Sequence, residues 1–305
     1  TGFVVEMVNH KLGDTILDPA CGTGGFLIDT IEYIRKNEVK TQKDEKTLQN
    51  SIHGVELKPL PHLLAMTNMI LHGVDTPKHL RRGDMLSQPL REYGPKDSVN
   101  VIVANPPFGG AVKDGVEKNF PAEFRTKETA DLFLVLFIHL LKPNGRCGIV
   151  LPDGSLFGEG VKTAIKKKLL EECNLHTIVR LPQGVFNPYA GVNTNLLFFN
   201  KGSPTKEVWY YELPLPDGLR QYTKGRPIQH EEFDPVRKWW NNRVSNDHAW
   251  KVSIAEIQER NFNLDFKNPK RQEAVNHKAP KELLEGINEK EKQISSIINE
   301  IKNIL

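Results

Sequence analysis

Short apolar stretches typical of strands alternate along the first 213 residues with longer segments typical of helices. The strand-like stretches are DTILD (14–18), SIHGVEL, HLRRGDML, VNVIVANPPF, RCGIVLP, HTIVRLP, NTNLLFFNKG and EVWYYEL. The helix-like segments begin near Gly24 and at PLPHLLAMTNMILHG, ADLFLVLFIHLLKPNG and KTAIKKKLLEEC, and we expect the third to stop at Pro143 and Gly145. This alternation predicts an α/β fold with a doubly wound, mostly parallel sheet in a domain of residues 1–213. The charged stretch RKNEVKTQKDEKTLQN is expected to be a helix end and a solvated loop.

The pattern changes after residue 213. Strand signals fade between residues 214 and 270, where Pro, Gly, Asn and Trp become frequent, and we expect an irregular extension there. Residues 271–305 are typical of a helix with one apolar stripe. The stripe consists of Ile287, Ile294, Ile298, Ile301 and Leu305. Its seven-residue spacing predicts either a seam that contacts another chain or one amphipathic helix folded onto its own domain.

Composition excludes several classes of protein. The 305 residues carry 41 Lys and Arg against 38 Asp and Glu, a net charge of +3 that permits nucleic-acid contact without requiring it. The three cysteines, Cys21, Cys147 and Cys173, lack metal-site spacing and fit a reducing cytoplasm. We predict no metal site, no membrane span and no signal peptide. Because the chain enters a core strand almost at once, we expect it to be the interior of a longer protein.

The turn DPACGTGGF (18–26) follows the first predicted strand and opens the first predicted helix. Ligands of open α/β sheets bind at the carboxyl ends of the strands, and Gly22, Gly24 and Gly25 let the backbone approach a ligand closely. The spacing differs from the G-x-G-x-x-G of dinucleotide-binding proteins, and Asp18 would repel phosphate. A carboxylate at this position suits a ligand with an ammonium or sulfonium charge. Cys21 is expected to be a small packing residue of the turn.

Two further acids follow the next two predicted strands. Glu56 ends HGVEL and could accept both hydroxyls of a ribose, while Asp84 in RRGDML could accept from an adenine amino group. With the glycine turn, they describe a pocket for S-adenosylmethionine. Taken singly, each feature has a plain structural interpretation as a strand-end turn, a solvated glutamate or an aspartate cap.

The sequence NPPFGG ends the fourth predicted strand. The side-chain oxygen of Asn105 and the carbonyl of Pro106 could hold the two hydrogens of an amino group on a flipped-out base. Such bonds favour a pyramidal nitrogen and free its lone pair toward a methyl group. Phe108 offers a face for stacking, and Pro106 and Pro107 stiffen the loop. The alternative is an ordinary turn, since Asn-Pro and Pro-Pro are common chain breakers.

Together these motifs resemble the modification (methyltransferase) subunit of type I restriction-modification systems, whose members methylate adenine N6 in DNA. The resemblance rests on LDPACGTGGFL, GVEL, GDML, NPPFGG, LPDGSLFG and VRLPQGVFNPYAGVNTNLLFF, and it covers most of residues 2–202. It implies a Rossmann-like S-adenosylmethionine-dependent fold and two sets of site residues. The implied cofactor-binding residues are Asp18, Pro19, Ala20, Gly22, Thr23, Gly24, Gly25, Glu56, Asp84 and Met85. The implied catalytic residues are Asn105, Pro106, Pro107 and Phe108.

The resemblance also implies partners. DNA sequence is recognised by a separate specificity subunit, and a C-terminal helix of the methyltransferase commonly packs against that subunit, while a restriction subunit completes the complex. The stripe in residues 271–305 suits such a contact. Members of the family carry an N-terminal helical domain and then an aromatic-Thr-Pro segment that helps to close the cofactor pocket. The chain begins just after the expected position of that segment, so we expect an N-terminally truncated catalytic domain.

Other functions stay open on the residues alone. Asn-Pro-Pro-aromatic loops also serve methyltransferases that act on protein glutamine, on guanine of ribosomal RNA or on cytosine N4. A carbon-5 cytosine enzyme would need a nucleophilic cysteine, normally after proline, and the sequence has no Pro-Cys. A nicotinamide oxidoreductase is disfavoured by the glycine spacing. A non-catalytic scaffold that offers its C-terminal helix to a partner is an alternative of a different class.

The segment that follows NPPFGG is polar and long. It carries Lys113, Lys118, Arg125 and Lys127, which could contact phosphates or simply form a solvated face. Its length and polarity predict a mobile loop over the site. Beyond it, His139 lies on the most apolar predicted helix and is expected to be a packed core residue.

Overall fold

The computed structural model describes residues 1–187, 191–270, 288, 290–294 and 298. The chain divides into two compact units, Thr1–Asn268 and Pro269–Leu305. The first unit is built around one sheet of nine strands. The strands are β1 (Ile16–Asp18), β2 (Ile52–Glu56), β3 (Leu80–Arg82), β4 (Val99–Ala104), β5 (Leu141–Pro152), β6 (Cys173–Arg180), β7 (Thr194–Lys201), β8 (Glu207–Glu212) and β9 (Ala249–Ser253). The helices are α1 (Gly2–Val8), α2 (Gly25–Asn37), α3 (Gln42–Ser51), α4 (Pro59–Leu71), α5 (Thr129–Leu140), α6 (Asp153–Phe157), α7 (Val161–Glu172), α8 (Asp234–Trp240) and α9 (Ile254–Glu259).

The strands lie in the order β3-β2-β1-β4-β5-β7-β6-β8-β9. The first five are parallel to one another, and β6 is parallel to β8. Strand β7 is antiparallel to β5 and β6, and β9 is antiparallel to β8. The predicted doubly wound, mostly parallel α/β fold is therefore confirmed. The chain reverses its direction across the sheet between β1 and β4, the place where such sheets bind ligands.

Successive strand residues contribute to two separate apolar clusters. Ile16 packs with α1, α2 and α4, whereas the next residue, Leu17, packs with α5 and α7. Likewise, Val101 belongs to the cluster of Ile16, and Ile102 belongs to the cluster of Leu17. Successive side chains of a strand point to opposite faces, so the sheet is covered by helices on both. Double coverage explains why the strand sequences are almost continuously apolar.

Helix α1 is clasped by a segment far along the chain. The Phe3 ring stacks on Phe233 with 4.5 Å between the ring centroids. Arg237 Nε donates to Glu6 Oε2 at 2.7 Å, and the Arg237 guanidinium lies 5.7 Å from the centre of the Phe3 ring. The segment around α8 thus holds α1 against the sheet.

Three local predictions were wrong. The charged stretch expected to be a loop contains α3, because Thr41 forms a capping box with Asp44: Thr41 Oγ1 accepts from the Asp44 N–H and Asp44 accepts from the Thr41 N–H. Helix α5 ends at Leu140, before Pro143 and Gly145, which lie at an irregularity of β5. Strand β9 was not predicted.

The predicted C-terminal stripe falls largely on residues that the structure does not describe. Ile287, Ile301 and Leu305 lie outside the described residues. Ile294 and Ile298 are helical, and their side chains are 57% and 47% exposed. Along the described ranges, no helix is both long enough and apolar enough to cross a membrane.

Gly54, in the middle of β2, provides a test of how tightly the sheet and α2 pack. A Cβ at this position would lie 2.6 Å from Leu80 Cδ1 and 2.7 Å from Leu27 Cδ1. Both neighbours are buried, so we expect Gly54→Ala to lower the free energy of unfolding by about 1–3 kcal/mol in chemical denaturation. The control is Gly94→Ala, where a Cβ meets nothing within 4 Å. Equal stability of the two variants would contradict the packing described here.

Candidate active site

The glycine turn between β1 and α2 is a compact arch over the end of β2. Gly22 and Gly24 have φ angles of 56° and 86°, which L side chains rarely adopt. The Gly24 N–H donates to the Cys21 carbonyl at 2.8 Å, and the Cys21 N–H donates to the Val55 carbonyl at 3.0 Å. A Cβ on Gly22 would meet nothing within 4 Å, so the arch borders open space at this residue.

Glu56 fastens this arch to β2. Its Oε2 accepts from the Gly22 N–H at 2.9 Å and its Oε1 accepts from the Lys58 N–H at 2.7 Å. The side chain is only slightly exposed, and each oxygen keeps a second lone pair for another donor. Glu56 thus shapes the glycine turn and still offers acceptors at the strand end.

Asp18 is a buried carboxyl group at the end of β1. Burial raises its pKa to about 8; the bond from the Ala20 N–H to Asp18 Oδ1, 3.1 Å long, opposes this rise, and the nearby Glu56 carboxylate adds to it. Near neutral pH the group is therefore largely protonated in the free protein. A cation placed beside it would favour the ionised form.

The other cofactor-binding residues predicted in the glycine turn differ in their exposure. Pro19 is buried and Ala20 is half-buried, whereas Thr23 and Gly25 are exposed. The Thr23 carbonyl accepts from Asn68 Nδ2 of α4 at 3.0 Å. Cys21 is buried, and this burial raises the pKa of its thiol, as expected of a packing residue.

Asp84 and Met85 follow β3. Asp84 Oδ1 accepts from the Leu86 N–H at 2.9 Å, so one oxygen holds the local turn. Met85 is buried, and its carbonyl accepts from the Tyr93 hydroxyl at 2.7 Å. The segment between β3 and β4 is thereby folded back beneath Asp84.

The Asn-Pro-Pro-Phe loop follows β4. The Asn105 side chain is exposed and makes no hydrogen bond with the residues described. Pro106 is buried, and within the described chain its carbonyl also accepts no hydrogen bond. Pro107 is exposed, and Phe108 is half-buried. Neither of the two proposed acceptors is therefore engaged by a donor of the described chain.

One aromatic residue beside this loop was not assigned a role from the sequence. Phe186 packs edge-on against Phe108, with ring centroids 5.5 Å apart and an interplanar angle of 85°. Phe186 and Asn105 also line a common cleft of about 880 Å³, together with parts of α1 and α2. The cleft does not include Asp18, Glu56 or Asp84. In the sequence, Phe186 follows a strand and a glycine within the motif VRLPQGVFNPYAGVNTNLLFF, which carries the resemblance but assigns this residue no role.

The segment after the loop is anchored, contrary to the prediction of a mobile loop. Phe120 and Phe124 are buried in the core shared with α5 and α7. Asn119 Nδ2 donates to the Leu86 carbonyl at 2.9 Å, and at the base of the segment Thr129 Oγ1 donates to the Gly110 carbonyl at 2.6 Å. Two aromatic side chains hidden within a polar sequence explain the difference.

His139 and the motif LPDGSLFG have structural roles. A ring nitrogen of His139 lies 2.9 Å from the Tyr93 carbonyl, and the residue is half-buried, not in the core as predicted. Asp153, directly after β5, accepts from Asn195 Nδ2 at 2.7 Å. Arg180 pairs with Asp265 at 2.6 Å and lies 3.7 Å from Asp153. This network fixes the strand end beside the Asn-Pro-Pro-Phe loop.

The sheet topology brings the candidate residues together. Because β3, β2, β1 and β4 are adjacent and parallel, their carboxyl ends share one edge of the sheet. Asp84, Glu56, Asp18 and Asn105 therefore follow one another along this edge. Three carboxyl groups, of which Asp18 and Glu56 are buried and Asp84 is half-buried, lie on one side of the switch point, and the amide of Asn105 with two aromatic rings lies on the other.

Known proteins share this architecture. The type I restriction enzyme EcoEI methylase subunit of Escherichia coli is 54% identical over all of this chain and 63% of its own length. A crystal structure described as a modification subunit of a type I restriction enzyme from Vibrio vulnificus YJ016 is 45% identical over 90% of this chain and 60% of its own, with a TM-score of 0.84. The crystal structure of the EcoKI M protein, 25% identical, covers 87% of this chain and 65% of its own, with a TM-score of 0.74.

The chain spans about three-fifths of the length of these relatives. The likeness confirms the predicted Rossmann-like methyltransferase fold and the resemblance noted in the sequence. Residues 1–278 match the sequence model of the family described as N-6 DNA methylase. Since this match covers more than half of the chain, the protein belongs to the N-6 DNA methylase family.

Proposed function

We propose that this chain is the catalytic part of a type I modification subunit, which transfers a methyl group from S-adenosylmethionine to the N6 amino group of a flipped-out adenine in DNA. The observation that carries the proposal is the row of strand ends that bear Asp84, Glu56, Asp18 and Asn105 along one edge. Three acids beside a glycine arch suit a cationic nucleoside. The free amide at the next strand suits an amino group.

The residues of the glycine arch fit S-adenosylmethionine, which supplies an electrophilic methyl group when it is bound. Asp18 would hold the positively charged part of the cofactor, since its buried carboxyl gains most from a nearby cation. The open side of Gly22 leaves room for the methionine backbone. Glu56 would accept from the ribose hydroxyls with its remaining lone pairs, and Asp84 would accept from the adenine amino group.

Asn105 and Pro106 would bind the two hydrogens of the target amino group. In adenine, the amino lone pair is delocalised into the ring, so the nitrogen is a weak nucleophile. Two acceptors outside the ring plane stabilise a pyramidal nitrogen and localise that lone pair. Both oxygens are free of described donors, and the two prolines hold them in place before the base arrives.

Phe108 and Phe186 would enclose the flipped base. Their edge-on contact leaves ring faces at right angles, so one ring can stack on the base while the other contacts its edge. Unstacking a base from duplex DNA costs a few kcal/mol, and stacking on an aromatic side chain restores part of it. Base binding and methyl acceptance thus depend on neighbouring residues.

The proposed partners are DNA, a specificity subunit and a restriction subunit in a cytoplasmic complex. One related structure, whose chain is 39% identical to this one, is described as the structural basis of complex assembly in the type I R-M system. Ile294 and Ile298 are both helical and exposed. Their exposure supports the C-terminal helix as the contact with the specificity subunit. The DNA sequence would then be selected by that partner.

Replacing Asn105 tests the catalytic assignment. We expect Asn105→Ala to reduce methyl transfer by roughly 10²–10³-fold, the usual cost of losing one preorganised hydrogen-bonding group. Transfer of labelled methyl groups to DNA measures activity, and calorimetric titration measures cofactor affinity, which we expect to be unchanged. Asn105→Asp keeps an acceptor oxygen and should retain more activity than the alanine variant. Full activity of Asn105→Ala would exclude the proposed role.

Asp18 makes cofactor affinity depend on pH. Below pH 8 its carboxyl is mostly protonated in the free protein, and a bound cation displaces that proton. The affinity for S-adenosylmethionine should therefore rise with pH up to about 8 and level off above it. Calorimetric titrations between pH 6 and 9 measure this, with Asp18→Asn as the matched control. Groups of the cofactor titrate identically in both proteins, so identical pH profiles would contradict the assignment.

Removing the rings should weaken binding of the flipped base. We expect Phe108→Ala to lose roughly 1–3 kcal/mol of base stacking and Phe186→Ala, which removes the edge contact, to lose less. A 2-aminopurine at the methylated position becomes fluorescent when it leaves the stack, and its signal reports the flipped state. Phe108→Tyr retains a ring and serves as the control. An unchanged signal in both alanine variants would remove these residues from the base-binding site.

A further inference from the structure

Helix α4 carries apolar side chains on two opposite sides. Ala65 and Met69 are buried in the cluster that also contains Ile16. Of the eleven exposed large apolar side chains among the described residues, six lie between residues 57 and 71, so they are concentrated in one place. Five of the six belong to the helix itself, with exposed fractions from 43% to 76%: Leu60, Leu63, Leu64, Ile70 and Leu71.

These five side chains form one stripe. Their spacing of three or four residues, with Thr67 in the middle, is that of a single helix face. We call this stripe the α4 face, and it is roughly 17 Å long at 1.5 Å per helical residue. Isolated exposed apolar side chains are ordinary, whereas a continuous exposed patch marks a place where another surface binds.

The composition of the α4 face favours a permanent partner. From Pro59 to Leu71 the helix has no Asp, Glu, Lys or Arg. Obligate contacts are more apolar than transient ones and resemble the interior of a domain. A membrane surface is disfavoured, because a helix that lies on a bilayer needs a charged face opposite the apolar one, and the opposite face of α4 is buried.

The surroundings of the α4 face are mainly basic. Helix α4 lies beside β3, since a ring nitrogen of His62 is 3.4 Å from the Leu80 carbonyl. Between residues 57 and 82 there are four cations and one carboxylate, all of them exposed: Lys58, Lys78, Arg81, Arg82 and Asp75. A second copy of this chain would bring the same excess of cations to both sides of the contact. The charges favour instead a partner with carboxylates beside its apolar residues.

The relatives are long enough to contain such a partner. This chain corresponds to 63% of the length of the EcoEI methylase subunit and to 60% of the Vibrio vulnificus chain. About two fifths of the length of these relatives therefore has no counterpart in residues 1–305. A segment of the same polypeptide has a high effective concentration at the α4 face and needs little affinity of its own.

We propose that the α4 face binds a segment of the full-length subunit that lies outside residues 1–305, an amphipathic helix with carboxylates beside its apolar stripe. The inference rests on the proposed function only in treating the chain as part of a modification subunit. Helix α4 also supports the glycine arch, because Asn68 Nδ2 donates to the Thr23 carbonyl at 3.0 Å. The bound segment thus restrains a helix that borders the cofactor pocket.

Cysteine labelling of the full-length subunit tests the proposal. The three native cysteines of residues 1–305 are buried, so a cysteine introduced at an exposed position reacts faster with a maleimide. Leu63→Cys is compared with Val244→Cys, because the two native side chains are similarly exposed in this structure, 61% and 54%. Relative to its rate in denaturant, Leu63→Cys should react at least about tenfold more slowly than Val244→Cys. Ile70→Cys repeats the test if Leu63→Cys is poorly folded.

Chemical cross-linking identifies the bound segment. A carbodiimide joins an amine to a carboxylate that contacts it. Mass spectrometry of the full-length subunit should find Lys58 or Lys78 joined to Asp or Glu of the same polypeptide outside residues 1–305. Dilution distinguishes a second copy, because protection within one polypeptide does not depend on protein concentration.

Equal normalised rates for the two cysteines would overturn the proposal. Protection that is lost on dilution would also overturn it and assign the α4 face to a second copy. Slow labelling only after addition of phosphatidylserine–phosphatidylcholine vesicles would assign the face to a membrane surface instead. The labelling needs neither cofactor nor DNA. Protection without methyl transfer would therefore contradict the proposed function alone, and methyl transfer with equal rates would contradict the docking alone.

Discussion

The parallel pairing of β1 with both β2 and β4 is the constraint on which the candidate site depends. It brings Asp18 beside Glu56 on one side and beside Asn105 on the other, although more than 80 residues separate Asp18 from Asn105. The Glu56 carboxylate then fixes the glycine arch through the Gly22 N–H. A one-residue change of register would move buried side chains to the opposite face and separate these groups.

Much of this arrangement could be predicted from the sequence because strand ends carry distinctive residues. A parallel sheet needs continuous apolar runs, and each run ends abruptly in DPACG, in Glu56, in GDML or in NPPF. These boundaries gave the order of the polar groups along the chain, and the crossover rule placed them on one edge. The roles assigned to individual residues remain proposals, since they concern groups that meet a ligand.

What could not be predicted depends on contacts between distant segments. Strand β9 is short, and it exists because β8 offers it an edge. The segment 111–128 is polar on average, and its fixed position comes from Phe120 and Phe124, whose burial requires α5 and α7. The role proposed for Phe186 likewise follows only from its contact with Phe108. Local sequence patterns do not record such pairings.

The clasp of α1 by Phe233 and Arg237 has a consequence for the order in which the protein forms. Helix α1 borders the cleft at Asn105, yet its partners are synthesised more than 220 residues after it. At a synthesis rate of about 5–20 residues per second, Phe3 and the other apolar residues of α1 lack these packing partners for on the order of 10–50 seconds. The wall of the cleft is thus completed late in synthesis, when nearly the whole sheet is already available as a template.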